Sequence, residues 1–217
     1  MADFSISPSA LAYLYGDKLD NLFAGRSRLP INETLPCREV KVRRKDLAVA
    51  ILVAAFADLV RKGHLRLSVQ IKGRIIKSKS VLATVVGTPV GGFAGLEGQL
   101  LGNLRRNSND DDVPSVVARL WRSKVDDPFN EVIQMAQACL LQQGYFVEEQ
   151  RQGLGRLLGK KLVPQCDKIS ALQTQAGALY DMVAAFHSGQ PEVYAQLWND
   201  VAKGIASRQE KVEVDTD

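Results

Sequence analysis

The sequence predicts a mainly α-helical domain: a central apolar helix with one or two short β-hairpins of winged-helix type. Residues 47–60 are apolar nearly all round and are interrupted only by Asp58, which is typical of a helix in the middle of a core. Directly after Gly63 the apolar period changes to the strict alternation of a half-buried strand. Elsewhere, apolar residues recur at helical spacing behind Ser, Asp and Pro start signals.

Length and composition are those of an ordinary globular protein. The chain has 217 residues, of which 46% are hydrophobic and 24% charged, so it can bury a core without a metal or other staples. We expect residues 1–207 to form a single helical domain, which a polar acidic linker at 107–112 divides into sub-units 1–106 and 112–207. Residues 208–217 are polar, end in acids and are predicted to be a flexible tail.

The first part of the chain contains two predicted helices joined by a long loop. Ser7 is the expected N-cap of a helix that starts at Pro8 and runs toward Phe23. Residues 24–45 show no clear period and are predicted to be a basic loop. Asp46 is the expected cap of the central helix and Gly63 its end.

The basic segment after Gly63 predicts a hairpin. Leu65, Leu67, Val69 and Ile71 alternate with polar residues, Lys72-Gly73 indicates a turn, and residues 74–79 or 81–86 supply the return strand. This order of a helix, a glycine, a strand, a turn and a second strand is the layout of a winged-helix wing.

The second half of the chain repeats this layout. Residues 59–67 parallel residues 140–148: each segment is a helix end, a glycine and a short strand, which favours two related helix-plus-hairpin units. The alternative is that the order helix–glycine–strand is common in proteins and indicates no repeat. Further helices are predicted at 96–106, after Asp112, from Asp127-Pro128 to Gly144, at 168–186 and from Pro191.

The cysteines favour a reducing compartment. Cys37, Cys139 and Cys166 are odd in number and show no close pairing, which indicates free thiols. The start lacks the pattern of a secretory signal, and no apolar run reaches the roughly 20 residues of a membrane span. We therefore expect a cytoplasmic protein, peripheral to membranes.

No catalytic or metal-binding motif is visible, so we expect neither an enzyme nor a cofactor. His64 and His187 have no Cys, Asp or Glu at ligand spacing. Residues 155–161 resemble a phosphate loop but have one residue too few between the glycines and lack the Ser or Thr that holds magnesium, which leaves a hairpin turn. The acids at 110–112 stand where a linker and helix cap are needed, without the rest of a calcium loop.

Positive charge is concentrated in one segment. Residues 38–79 carry a net charge of +9 and the rest of the chain −5, within a total of +4. Such asymmetry concerns partners rather than fold, and a solvated face that binds nothing is the neutral alternative. The candidate anion- or phosphate-binding residues are Arg43, Arg44, Lys45, Arg66, Lys72, Arg74 and Lys77.

A basic hairpin can contact nucleic-acid phosphates or an anionic membrane surface. A recognition helix needs exposed polar side chains that reach base edges. Residues 47–60 cannot lie in a DNA groove and in the core at once, which counts against a conventional winged-helix transcription factor.

Three segments carry a family resemblance. Residues 58–67 contain a helix end, Gly63 and a strand; Thr88-Pro89-Val90-Gly91 precedes a leucine-rich helix; and residues 114–144 contain Asp127-Pro128-Phe129 and end in Gln143-Gly144. Their order resembles the Golgi phosphoprotein 3-like family, peripheral proteins whose eukaryotic members bind phosphatidylinositol 4-phosphate. The resemblance covers about residues 8–170.

The resemblance implies a shared fold and phosphoinositide-type binding at a membrane. The family's lipid-binding arginines fall near Leu52, Asn130 and Ile133, none of them basic, and Gly92 replaces the family's acidic residue. An anionic headgroup would therefore have to use other residues, with the cations at 43–45, 66 and 72 the first candidates. Two alternatives stay open: a winged-helix-like nucleic-acid-binding or protein-assembly module, and a structural subunit that docks an acidic protein partner.

Overall fold

The computed structural model describes residues 4–22, 32–72, 78–87, 95–107, 110–150 and 160–210. Within them the protein is mainly helical, with short antiparallel hairpins, which confirms the mainly α-helical part of the prediction. The helices are α1 Pro8–Tyr15, α2 Arg44–Arg61, α3 Gly95–Asn107, α4 Val113–Ala118, α5 Pro128–Gln142, α6 Cys166–Ser170, α7 Gln173–Gly189 and α8 Pro191–Ala206. The strands are β1 Asn32–Thr34, β2 Lys41–Arg43, β3 Leu65–Lys72, β4 Ser78–Val85, β5 Asp110–Asp112, β6 Phe146–Gln150 and β7 Lys160–Pro164.

Helix α2 is buried over most of its length. All residues from 46 to 59 are buried, and α1, α3, α5, α7 and α8 contact the helix. This burial follows from a sequence of Ala, Val, Leu, Ile and Phe that has no polar face. The helix begins earlier than predicted: Arg43 is the N-cap, and Asp46 lies in the first turn, where it pairs with Arg43. The prediction that Asp46 caps the helix is wrong.

Helices α2 and α5 end in the same way. Gly63 and Gly144 both take the left-handed conformation, with φ of 72° and 73°, which glycine adopts without steric cost. Three consecutive N–H groups close each helix end, and both helices lead into hairpins, β3–β4 and β6–β7. The structure therefore contains two helix–glycine–hairpin units. The donor–acceptor pairs are Lys62–Asp58, Gly63–Val60 and His64–Leu59 in the first, and Gln143–Cys139, Gly144–Leu141 and Tyr145–Leu140 in the second.

The first hairpin gains a third strand. Strand β4 pairs with β3 on one side and with β5 on the other, so that Leu82 lies opposite Asp112. The acidic run expected to be part of a linker is a strand instead, because its backbone completes the edge of β4. Asp112 nevertheless caps α4 as predicted, accepting a hydrogen bond from Ser115 N at 3.0 Å.

Helix α8 packs against the same sheet and supplies a buried carboxylate. Asp200 is 3% exposed and accepts hydrogen bonds from Val81 N at 2.6 Å, Ser80 Oγ at 3.2 Å and Gln196 Nε2 at 2.9 Å. It satisfies a β4 amide beyond the end of β5, where the strand would otherwise leave that donor unpaired.

The chain continues in contact with the domain beyond α8. Val125 N donates to Arg208 O, Glu210 N donates to Val125 O, and Arg208 Nε donates to Ala118 O at 2.6 Å. The first three residues of the predicted flexible tail are therefore hydrogen-bonded to the domain, and residues 211–217 lie outside the described part.

The N-terminal region differs from the prediction in two ways. Ser7 does cap α1, accepting a hydrogen bond from Ala10 N, but α1 ends at Tyr15 and a 3₁₀ helix, Gly16–Leu22, follows it. A Cβ at Gly16 would lie 2.6 Å from Leu47 Cδ1, so any larger residue here would force the Leu47 side chain of α2 to shift. The predicted loop at 24–45 contains the β1–β2 hairpin.

Cys37 and Cys166 form a disulfide, with Cα atoms 5.4 Å apart. The prediction of free thiols is wrong for this pair, because folding brings the segment before β2 to the start of α6. Cys139 is buried and free. Among the described residues, no helix is both long and apolar enough to cross a membrane.

Candidate membrane-binding surface

The structure separates the seven predicted cations. Arg43, Arg44 and Lys45 lie at the start of α2, whereas Arg66 lies on β3 and Lys72 is its last residue. The remaining two, Arg74 and Lys77, lie outside the described residues, as does the side chain of Lys72. The predicted residues therefore do not form one described surface.

The two arginines at the start of α2 pair with acids of the same chain. Arg43 pairs with Asp46, and the Arg44 guanidinium contacts Glu33 at 3.2 Å and Asp127 at 3.1 Å. The Arg44 contacts join β1, α2 and the N-cap of α5. A bound anion would have to compete with these carboxylates, so the pair is a weaker ligand set than the sequence indicates.

Lys45 is also engaged, although it is exposed. Its amine lies 5.3 Å from the centroid of the Phe129 ring, a cation–π contact at the first turn of α5. The start of α2 thus joins elements of this chain through all three cations.

At the end of α2, two further cations pair with a buried acid. Asp58 is 0% exposed and pairs with Arg61 at 2.8 Å and Lys62 at 2.7 Å. Removing these cations would leave an uncompensated charge in the core. They balance an internal charge, and the positive charge at the surface is smaller than the +9 of residues 38–79 implies.

The outer face of the three-stranded sheet carries both signs of charge. Arg66 is exposed and lies opposite Thr84, which in turn lies opposite Asp110. Ser68 and Gln70 are the other exposed positions of β3 on this side among the described side chains. Over these positions the face is polar rather than basic.

The far end of the β3–β4 hairpin is different. The inward side chains of β3 are buried at Leu65 and Leu67, 3% and 6% exposed, but Ile71 in the same series is 64% exposed. The apolar alternation therefore extends past the core. Opposite Ile71 stands Lys79, whose amine binds Glu192 at 2.8 Å while its side chain stays 55% exposed. The far end of the hairpin therefore combines an exposed aliphatic side chain with a lysine that is half exposed.

Sequence reasoning assigned Ile71 to the apolar face and missed its exposure. Period-two alternation shows which side of a strand a residue occupies, but the extent of the core beneath it depends on other elements. No signal in the neighbouring residues marks where that core ends.

Another buried carboxyl group, that of Glu97, serves the fold. Glu97 is 2% exposed and accepts hydrogen bonds from Ser9 N and Ser9 Oγ, both at 2.9 Å, at the first turn of α1. Burial raises the pKa of Glu97, and the Ser9 hydrogen bonds oppose that shift. Closed away from solvent, the carboxyl group caps a helix.

The positions that bind lipid in the resembling family lie partly in the core. Leu52 and Ile133 are 0% and 1% exposed, and Asn130 is half-buried. Comparisons with family models, with curated proteins and with solved structures give no match for this chain. The resemblance to Golgi phosphoprotein 3-like proteins stays a prediction.

Proposed function

We propose that this protein is a non-enzymatic peripheral membrane protein that binds anionic lipid surfaces through the far end of the β3–β4 hairpin. The exposure of Ile71 is the observation that carries the proposal. Lys72 follows it in the chain and Lys79 lies opposite it. By sequence, Arg74 and Lys77 stand between them. The aliphatic side chain enters the interface, and the cations meet the headgroups.

The magnitudes favour weak, reversible binding. Full burial of an Ile side chain contributes about 1.5–3 kcal/mol, and each cation near an anionic surface about 1 kcal/mol. One Ile and the three cations other than Lys79, which is paired with Glu192, supply about 5 kcal/mol, which corresponds to a dissociation constant weaker than micromolar. Salt screens the cationic part, so binding should fall as ionic strength rises.

The same arrangement supports a winged-helix-like unit in which the hairpin is the wing and α2 is its buried support. Burial of residues 46–59 disfavours nucleic acid as the partner, since α2 presents no side chains to base edges. A phosphoinositide-like headgroup is the proposed ligand within the anionic class.

Vesicle flotation tests the proposal. Wild type should float with vesicles of phosphatidylcholine and phosphatidylserine and stay behind with phosphatidylcholine alone. Ile71→Ser should lower the bound fraction severalfold, whereas Val86→Ser, at a second exposed aliphatic residue, should not. Lys72→Glu should weaken binding, and Lys203→Glu, on exposed α8 surface, should serve as the charge control.

Two outcomes would overturn the proposal. Wild type that ignores anionic vesicles but retards DNA in a salt-dependent way would indicate the nucleic-acid alternative. Wild type that does neither would favour docking of an acidic protein partner.

A further inference from the structure

A groove lies between α3 and the end of α4, outside the basic segment of residues 38–79. It encloses about 530 Å³ and opens to solvent. Its volume is within the range of small-molecule sites, roughly 300–1,000 Å³. The residues that line it are Gly95, Gly98, Gln99, Gly102, Asn103, Arg119, Leu120 and Arg122.

The α3 wall of the groove is made of glycines and amides. The opposite face of the helix is buried through its leucines, whereas the groove face presents Gly98 and Gly102 next to Gln99 and Asn103. A Cβ at Gly102 would meet nothing within 4 Å, so packing within the described chain does not require glycine there. Glycine within a helix costs up to about 1 kcal/mol relative to alanine. Because glycine has no side chain, the α3 wall leaves room for a bound molecule.

The other wall includes two arginines, Arg119 and Arg122. Arg119 is held by Asp111, with Nη2 and Oδ2 2.7 Å apart. Arg122 is exposed and forms no ion pair with any described residue. None of the eight lining residues is acidic. The groove therefore combines a fixed and an available cation with two neutral side-chain amides.

We propose that this groove binds a small molecule that bears a phosphate monoester, with the phosphate on Arg122 and the polar remainder on Gln99 and Asn103. Guanidinium groups match phosphate oxygens in fork geometry, and the bonds are charge-assisted. Carboxamides can donate to and accept from hydroxyl groups of the same ligand. The phosphate monoester can belong to a soluble molecule or to a lipid headgroup.

The first test is a nuclear magnetic resonance titration of the full chain with inorganic phosphate and then with phenyl phosphate. Backbone amides of Gly98 and Gly102 and side-chain amides of Gln99 and Asn103 should shift together and saturate. Shifts spread over many surface cations, without these four, would overturn the proposal.

Two variant pairs make the site specific. Arg122→Gln should weaken phenyl phosphate binding roughly tenfold or more, as expected for a lost hydrogen bond between charged groups, whereas Lys124→Gln, also exposed, should leave it unchanged. Gly102→Leu should fill the groove and abolish binding. Gly177→Leu is the matched control, since a Cβ there also meets nothing within 4 Å. If a variant and its control bind phenyl phosphate equally well, the groove is not the binding site.

Vesicles distinguish the two sources of the phosphate. If the ligand is a headgroup, adding phosphatidylinositol 4-phosphate to phosphatidylserine vesicles should raise binding of wild type but not of Arg122→Gln. If it is soluble, only phenyl phosphate binding should depend on Arg122. The outcome is independent of the hairpin proposal, because Ile71→Ser should lose vesicle binding and keep the phosphate shifts.

Discussion

Removal of the Cys37–Cys166 disulfide should lower stability far more than any single surface substitution. The change is Cys37→Ser combined with Cys166→Ser. The bond links positions 129 residues apart, so it constrains more than half of the unfolded chain. It also ties the segment before β2, where Cys37 has a φ of 59°, to the first turn of α6.

The expected magnitude follows from the loop that the bond closes. Loop-closure entropy for about 130 residues amounts to about 5 kcal/mol, near the upper end of measured disulfide effects. For a chain of this size, each kcal/mol moves the unfolding midpoint by about 2–4 °C, so the midpoint should fall by roughly 10 °C or more.

Thermal unfolding with and without dithiothreitol provides the assay. Wild type should lose stability on reduction, the double variant should be insensitive to it, and Cys139→Ala should keep the sensitivity of wild type. Thiol titration in denaturant is decisive: the oxidised chain should expose one thiol, that of Cys139. Three titratable thiols before reduction would refute the pairing.

Four further substitutions probe buried carboxylates and helix glycines. Asp200→Ala should destabilise the protein by about 2–3 kcal/mol in urea unfolding, since it leaves a buried β4 amide unpaired, while Asn199→Ala, its exposed neighbour, should have little effect. Gly102→Ala should stabilise the chain by up to about 1 kcal/mol. Gly204→Ala should destabilise it, because a Cβ there would lie 2.8 Å from a backbone oxygen of α4. Equal changes in the free energy of unfolding for Gly102→Ala and Gly204→Ala would contradict this packing. Burial raises the pKa of Glu97, so its contribution to stability is complete below the ordinary pKa of Glu and is lost as pH rises through the folded-state value. The difference in unfolding free energy between wild type and Glu97→Gln should therefore fall from acid to neutral pH. A difference that does not change with pH would refute a raised pKa of Glu97.

The elements that sequence predicted best are those specified locally. The caps Ser7, Asp112 and Asp127 accept the predicted hydrogen bonds, and Gly63 and Gly144 take the positive φ that a helix end requires. Each of these features depends on residues within one turn, so composition and spacing are sufficient to find them.

The features that sequence missed depend on distant partners. An acidic triplet becomes β5 only because β4 offers a free edge, and Cys37 meets Cys166 only after the whole domain has folded. Neither event leaves a signal in the neighbouring residues. The end of the core beneath β3, which exposes Ile71, is of the same kind.

The pairing of cations shows most clearly that sequence does not reveal distant partners. This pairing also bears on where an anion can bind. A net charge counted along the chain sets each cation against acids nearby in sequence, but Arg44 pairs with Asp127 and Lys79 with Glu192. Much of the apparent excess is thus neutralised by acids outside the basic segment. The cation available in the α3–α4 groove, Arg122, lies outside that segment altogether. Anion binding by this protein is therefore better sought where a cation lacks an internal partner than where cations are dense in sequence. By that criterion the α3–α4 groove comes before the start of α2.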